Sequence, residues 1–321
     1  MKYYLAPMEG ITEYIYRNSY EKIFRNIDKY FTPFIPTNES KSLKTKELKD
    51  VLPENNRGMN IVPQIITNDS QGFVNLSRKL QQLGYNEVNL NLGCPVKTVV
   101  SKNRGSGFLA KREELDIFLD EIFKINDMKI SIKTRIGKNS PEEFYELIKI
   151  YNKYPIEELI IHPRTQKDFY GNKPNLEVFK DALSLSTNPV CYNGDIFTAD
   201  DHNKLIKAFP QVKTVMLGRG ILANPGLINE IKNNTSIDKE VLKAFHDEIL
   251  NNYMELFNEE KNAIFKMKEL WGYMIYIFSN NKEYAEKIKK SQTLSDYKEV
   301  VSSLFIEQEI IEGAGLFNNK R

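Results

Sequence analysis

Short apolar runs recur along the chain, and segments of helical length with one apolar face follow most of them. The runs at 3–6, 30–35, 61–67, 87–91, 129–134, 158–162, 189–193 and 214–217 read as strands. Several are β-branched and apolar on both faces, the pattern of parallel strands covered on each side. Between them, 72–83, 112–126, 141–154 and 199–209 carry apolar positions at helical spacing. Eight strands alternating with helices over about 230 residues have the length of a (β/α)8 TIM barrel, an α/β fold. An open doubly wound sheet is the alternative. No GxGxxG opens its first β-to-α turn, which favours the barrel.

Beyond residue 234 the text is helical. TSID at 235–238 reads as a capping box opening a helix. Ile264, Met267, Trp271, Met274 and Phe278 fall on one stripe, read as the core of a small helical bundle. The expected organisation is a barrel over 1–234 and a helical unit over 235–321. No low-complexity linker separates them, so they are expected to pack together.

Composition narrows the class. The chain has 321 residues, 41% apolar and 27% charged, as in ordinary globular proteins. Its formal net charge of +2 neither demands nor excludes a polyanionic partner, because a local basic patch suffices. No run approaches the roughly 18 apolar residues of a membrane span, and the N-terminus MKYYLAPMEG lacks a signal-peptide core. A cytoplasmic location without membrane contact is expected. The only cysteines, Cys94 and Cys191, lie far apart, which argues against a disulfide framework or a metal site.

In such a barrel, side chains at the C-terminal strand ends converge on one pocket. Here those ends deliver Pro7, Met8 and Glu9 in APMEG, then Gln64, then Asn91 and Cys94 in NLNLGCP. Lys133 and Arg135 follow, then His162 and Arg164, Asn193-Gly194-Asp195, and Gly218-Arg219-Gly220. Loops after the last two strands of such barrels often hold a phosphate. Glycines let backbone N–H groups approach the anion, with Arg219 as charge partner. Lys133, a lone cation in an apolar strand, needs an anionic or polar partner, such as the edge of a reduced flavin ring. Gln64 can serve the opposite edge, since it both donates and accepts, and Pro7 and Met8 give the ring apolar contact. His162 is read as a cofactor or substrate ligand, whereas His202 and His246 are expected on helix surfaces. Cys94 lies on a turn between Gly93 and Pro95. As a protonated thiol near neutral pH it suits a general acid. Cys191 is read as core. The glycine-rich stretch 104–111 is expected to be a mobile cover over Cys94.

Taken together, APMEGIT, VPQI, NLNLGCP with the later GSGFL, SIKTRIG, HPRT, YNGD and LGRG occur in an order that resembles the tRNA-dihydrouridine synthases. The resemblance spans the barrel and extends to AIFKMKELWGYM (263–274), similar to the family's tRNA-facing helices. It implies an FMN enzyme that uses NADPH to reduce the C5=C6 bond of a uridine in tRNA. Flavin N5 gives hydride to C6, and Cys94 gives a proton to C5. Pro7, Met8, Glu9, Gln64, Lys133 and His162 would surround the flavin. Asn193, Gly194, Asp195, Gly218 and Arg219 would hold its phosphate end. Asn91, His162 and Arg164 would hold the uracil, and Lys266 and Lys268 the tRNA backbone. An FMN barrel acting on a free pyrimidine is the nearest rival, though the helical unit argues for a larger substrate. tRNA docking alone does not require a dimer.

Overall fold

The computed structural model describes residues 1–37, 45–125, 127–311, 313 and 314. Ten strand segments pair in parallel in one sheet whose linear order begins and ends on segments from the second and third apolar runs. The second run is broken into Lys29–Phe31 and Ile35–Pro36, and the third, at Pro63, into Ile61–Val62 and Gln64–Ile66. The first halves pair with each other, as do the second halves. Each broken run is therefore one bent strand, and the sheet closes into an eight-stranded ring. We label the strands β1 (Lys2–Leu5), β2 and β3 (the bent pair), β4 (Glu87–Leu92), β5 (Lys129–Gly137), β6 (Leu159–Thr165), β7 (Val190–Asn193) and β8 (Thr214–Leu217). β1 pairs with both β8 and β2. At the bend, Pro63 has no N–H to give the ladder. Thr32 bridges it, donating its N–H to Val62 O and accepting from Gln64 N at its hydroxyl.

Among the described residues, eight helices of seven residues or more follow the strands: α1 (Tyr14–Ile23), α2 (Thr45–Val51), α3 (Ser70–Gln82), α4 (Arg112–Ile125), α5 (Phe144–Tyr151), α6 (Leu176–Leu185), α7 (Ala199–Ala208) and α8 (Leu227–Asn233). The expected helix at 112–126 is thus found, though residue 126 lies outside the described residues. Helices α1, α2, α6 and α8 have no counterpart in the sequence reading. Tyr16 and Tyr20 give α1 its buried face, and their polar tips blur the apolar period.

Strand alternation sorts the side chains. Outward residues such as Val88, Leu90, Leu92, Ile130 and Ile132 join the large core beneath the helices. Inside the ring a small cluster of Tyr4, Ala6, Phe31, Val62, Ile160, Cys191 and Met216 fills the barrel. β4 and β5 depart from the both-faces-apolar expectation. Their inward positions are Glu87, Asn89, Asn91, Ser131, Lys133 and Arg135, so the barrel is half polar inside.

Four further helices, α9 (Lys239–Leu256), α10 (Glu260–Met274), α11 (Asn281–Lys290) and α12 (Leu294–Glu307), form the helical unit. Asp238 caps α9 through the N–H groups of Glu240 and Val241, so the helix starts there and not at the expected Thr235 box. Phe245 of α9 packs edge-on against Tyr16, Tyr20 and Phe24, and one continuous core joins the unit to the barrel. The α10 stripe is buried as expected. No helix among the described residues is long and apolar enough to cross a membrane.

His202 and His246, expected at the surface, are both buried. His246 belongs to a polar node in the helical unit. Trp271 Nε1 donates to the Tyr297 hydroxyl at 2.7 Å, and that hydroxyl lies 2.7 Å from His246 Nε2. Because the indole can only donate, the hydroxyl proton points to Nε2, and Nδ1–H points to Asp247 at 2.8 Å. Tyr297→Phe strands a buried donor and a buried acceptor and is expected to lower stability by about 2–4 kcal/mol. Denaturant titration measures this, and an unchanged midpoint would refute the node.

Candidate active site

The strand ends set a chain of side-chain amides across the mouth. Ser131 Oγ accepts from Asn89 Nδ2 at 3.0 Å, Asn89 Oδ1 accepts from Gln64 Nε2 at 2.8 Å, and Gln64 Oε1 accepts from Asn91 Nδ2 at 2.7 Å. The chain ends at the cysteine turn: Asn91 Oδ1 accepts from the N–H groups of Gly93 (3.0 Å) and Cys94 (2.9 Å). Each amide fixes the orientation of the next. Gln64 is wholly buried, and Asn91 nearly so. Both were expected on ligands, yet both are tied to the protein, and their geometric effect is to hold Cys94 in place.

The Cys94 turn is braced from beneath. Ser106 donates its N–H and its hydroxyl to the Cys94 carbonyl at 3.1 and 2.8 Å. Gly105, at φ +55°, approaches so closely that a Cβ there would lie 2.8 Å from that carbonyl. The segment Gly105–Ala110 is a buried 3-10 turn, so the glycines permit close packing and the stretch is a fixed support, not the expected mobile cover. Arg135 completes the frame, its Nε donating to Gly93 O at 2.9 Å and its NH1 to Thr165 O at 2.8 Å. Cys94 itself remains partly exposed. Burial pushes its thiol pKa up, against smaller opposing effects from the Val96 N–H, Arg135 and Lys133, so it stays protonated near neutral pH.

Beside it, Ala6, Pro7, Met8, Lys133, His162, Asn193, Gly194, Asp195, Gly218 and Arg219 line one pocket. With Tyr170, Phe197 and Gly220 it joins thirteen residues from five strand ends and the loops after them, and nine of the expected site residues are among them. Lys133 Nζ has no hydrogen-bond or ion-pair partner among the described residues. Burial, aided by the Arg135 charge, pulls its pKa down to about 8. This is an uncompensated cation aimed into the mouth, and it fits an anionic ring edge. The first turn of a short helix, Arg219–Ala223, begins at Gly218 with no side-chain cap, so its leading N–H groups lack intrahelical acceptors. The other glycines are needed by the protein itself: a Cβ on Gly194 would meet the Tyr192 hydroxyl at 2.2 Å, and one on Gly220 the Ile196 carbonyl at 2.1 Å. The pocket is small, about 70 Å³. A groove of about 770 Å³ adjoins it and shares Asp195 and Phe197, but does not reach Cys94, Lys133 or His162.

His162 is buried beneath three arginines and Lys133. Arg164 NH1 lies 3.0 Å from its Nε2, and a guanidinium cannot accept, so Nε2 carries a lone pair and Nδ1 the proton. Burial first, then Arg135, Lys133, Arg164 and Arg219, hold its pKa well below the ordinary value.

Several expected ligands are engaged elsewhere. Arg164 is wholly buried; it grips both oxygens of Asp195 (2.9 and 2.5 Å) and donates Nε to Asn172 O, leaving nothing for a uracil. Asp195 also takes Arg219 at 2.6 Å, so its carboxylate neutralises two guanidiniums and would repel a phosphate. Glu9 does not line the pocket and pairs with Lys46 at 3.3 Å. Lys266 donates to Gly10 O at 2.6 Å and pairs with Glu13 at 3.3 Å, fastening α10 to the loop after β1. Lys268 donates to the carbonyls of Lys289 and Ser291, closing the end of α11. Neither lysine is a free phosphate contact. Tyr170 and Phe197 were not anticipated. The Arg219 guanidinium lies 4.3 Å from the Tyr170 ring centroid and 5.2 Å from that of Phe197. Tyr170 sits in a loop with no periodicity to flag it.

Two outcomes follow from these charges. Lys133→Met is expected to stabilise the ligand-free protein by about 1 kcal/mol, since it removes an unpaired, half-buried cation, while weakening retention of an anionic ligand at the mouth. Destabilisation in thermal melts would count against the unpaired state. His162 is expected to stay neutral, with flat imidazole resonances in NMR from about pH 8 to 5.5. Its folded pKa lies below the unfolded one, so stability is lost as pH falls below about 6.5. A titration midpoint near the ordinary value would contradict the buried neutral form.

Comparison with known proteins agrees with this geometry. The sequence model described as "Dihydrouridine synthase (Dus)" matches residues 4–313. A probable tRNA-dihydrouridine synthase of Staphylococcus aureus is 28% identical over 277 residues, covering 83% of this chain and 80% of that protein. Probable tRNA-dihydrouridine synthase 2 of Bacillus subtilis is 30% identical over 231 residues, with 69% of each chain covered. The tRNA-dihydrouridine(16) synthase of Aquipseudomonas alcaligenes is 28% identical, covering 72% of this chain and 75% of that one. Among solved structures, TcOYE with pHBA superposes with a TM-score of 0.55 at 10% identity, covering 76% of this chain and 92% of that chain. Morphinone reductase in complex with tetrahydroNAD gives 0.53 at 9%, covering 76% and 90%. These two share the barrel fold. With the family match running through both barrel and helical unit, the chain belongs to the dihydrouridine synthase family and is an enzyme acting as a flavin oxidoreductase.

Proposed function

We propose that the protein reduces the C5=C6 bond of a uridine in tRNA, in the cytoplasm, with FMN as its flavin and NADPH as electron source. The observation that carries this reading is the pairing of a protonated, rigidly presented Cys94 with the unpartnered Lys133 cation at one mouth. Bound FMN supplies the hydride for C6 of the uracil.

The rest is the work of this chain's residues. Lys133 would hold the ring at its anion-bearing edge, with Pro7 and Met8 as apolar contact and Asn193 at the pocket wall. The uncapped N–H groups after Gly218, with the Arg219 side chain, would take the phosphate. Asp195 keeps Arg219 aimed while tempering its charge. His162, held neutral, presents Nδ1–H as a donor and adds no further positive charge. Cys94 gives its proton to C5, and the amide chain through Asn91 and Gln64 keeps the thiol at a fixed height above the mouth. A proton donor must be placed as well as protonated, and the turn provides both. The uridine must leave its stack to reach this depth. The division into a barrel over 1–234 and a helical unit over 235–321 assigns chemistry to the first and RNA docking to the two together.

Cys94→Ala is expected to retain flavin and to lose about 10²–10⁴-fold in dihydrouridine formation, measured on unmodified tRNA by mass spectrometry. Near wild-type turnover would remove Cys94 from its role. Activity on free uracil or orotate with none on tRNA would transfer the reading to a free-pyrimidine reductase.

A further inference from the structure

The loop after β6 holds features that the reading above leaves unused. Phe169 is 48% exposed and has φ +46°, a region that bulky residues seldom enter. Packing and backbone preference both oppose this placement, yet the loop enforces it. Asp168 accepts from the Thr165 N–H and hydroxyl and from Asn172 Nδ2, while the Phe169 N–H donates to Gln166 O. The next residue, Tyr170, lines the mouth pocket. Strain held at an exposed aromatic beside a site points to function there.

The charges around this loop are unequal across the mouth. The Lys167 N–H donates to Lys138 O, bringing the loops after β5 and β6 together. On the adjoining arc Asn68 links Lys102 and Arg104, accepting from Arg104 Nε and donating to Lys102 O. Lys138, Lys167, Lys173, Lys102 and Arg104 have no carboxylate partner among the described residues. Other cations at the mouth are neutralised, Arg164 at the end of β6 and Arg219 by Asp195, and Lys46 and Lys266 by Glu13.

We infer that the loop after β6 is a docking surface for the single-stranded nucleotides beside the target uridine. Phe169 stacks on a neighbouring base, and Lys138 and Lys167 hold the adjacent phosphates. The inference rests on the tRNA reading above. Pulling one base from its stack bares the face of the next, and an exposed ring flanked by unpaired cations matches that face and its phosphates.

The test measures binding of the holoenzyme to an unmodified tRNA transcript at several salt concentrations, with flavin reduction by NADPH as a separate readout. Phe169→Ala and Phe169→Asn are each expected to weaken binding about 5- to 100-fold, and Phe169→Tyr to restore it. Asn tolerates positive φ, so its loss of affinity without loss of stability separates stacking from strain. The double variant Lys138→Gln/Lys167→Gln is expected to make the salt slope shallower by about 1–2. Flavin reduction stays unchanged in all of them. Wild-type affinity in both Phe169→Ala and Phe169→Asn, with wild-type protein active on tRNA, overturns the docking surface alone. Wild-type protein that neither binds nor reduces tRNA, or that binds an acidic peptide on this loop instead, overturns it as well, the former together with the tRNA reading.

Discussion

Closure of the barrel across two bent strands is the constraint on which the rest depends. β3, β4 and β5 are neighbours, with Gln64 opposite Asn89 and Asn89 opposite Ser131, so their inward side chains touch by register, and closure adds the ends of β1 and β8 to the same mouth. The bend at Pro63 does more than complete the ring. It hands the ladder from backbone to the Thr32 hydroxyl and places Gln64 one residue later against Asn89 and Asn91. A straight third strand would change the inward face at this point, because a one-residue slip reverses every side chain. Cys94 is therefore held by a series of contacts that begins at a proline some thirty residues earlier in sequence.

The same ring separates charge. Guanidiniums near the strand ends of β6 and β8 share one carboxylate, Asp195, and that of Arg219 also lies over the Tyr170 and Phe197 rings. Lys133 has no such partner. Desolvation depresses its pKa, and an unpaired cation at a pocket wall is one that an anionic group would complete. Neutral His162 fits this economy: a protonated imidazole beside three arginines would add repulsion with nothing to offset it.

Much of this was legible in the sequence, for a physical reason. Inward polar residues on parallel strands interrupt apolar runs, so Asn91, Lys133, His162 and Asn193 stood out at a common end. Cys94 stood out because glycine and proline frame it. The fold followed from strand spacing and the missing dinucleotide fingerprint. Partner choice was not legible. Arg164, Lys266 and Lys268 carry the right charge for a ligand, but Asp195, Glu13 and backbone carbonyls from distant segments claim them first. Nor could spacing reveal that Gly105 is a point of close packing, since a turn glycine and a contact glycine look alike. Tyr170 and His246 were missed because aromatic and imidazole groups read equally well as surface or core until their neighbours are known.

The contact of Lys266 with the Gly10 carbonyl has a consequence for how the chain is made. The loop that carries Pro7 and Met8 leaves the ribosome well before its support, which lies more than 250 positions later. β1 likewise waits for β8 before the ring can close. Chains emerge at about 5–20 residues per second, so the mouth stays incomplete until those later positions have emerged. A polypeptide that ended after the last strand would possess every reacting group and still lack the clasp on its first loop. Assembly of the working mouth is thus a late event, timed by the helical unit.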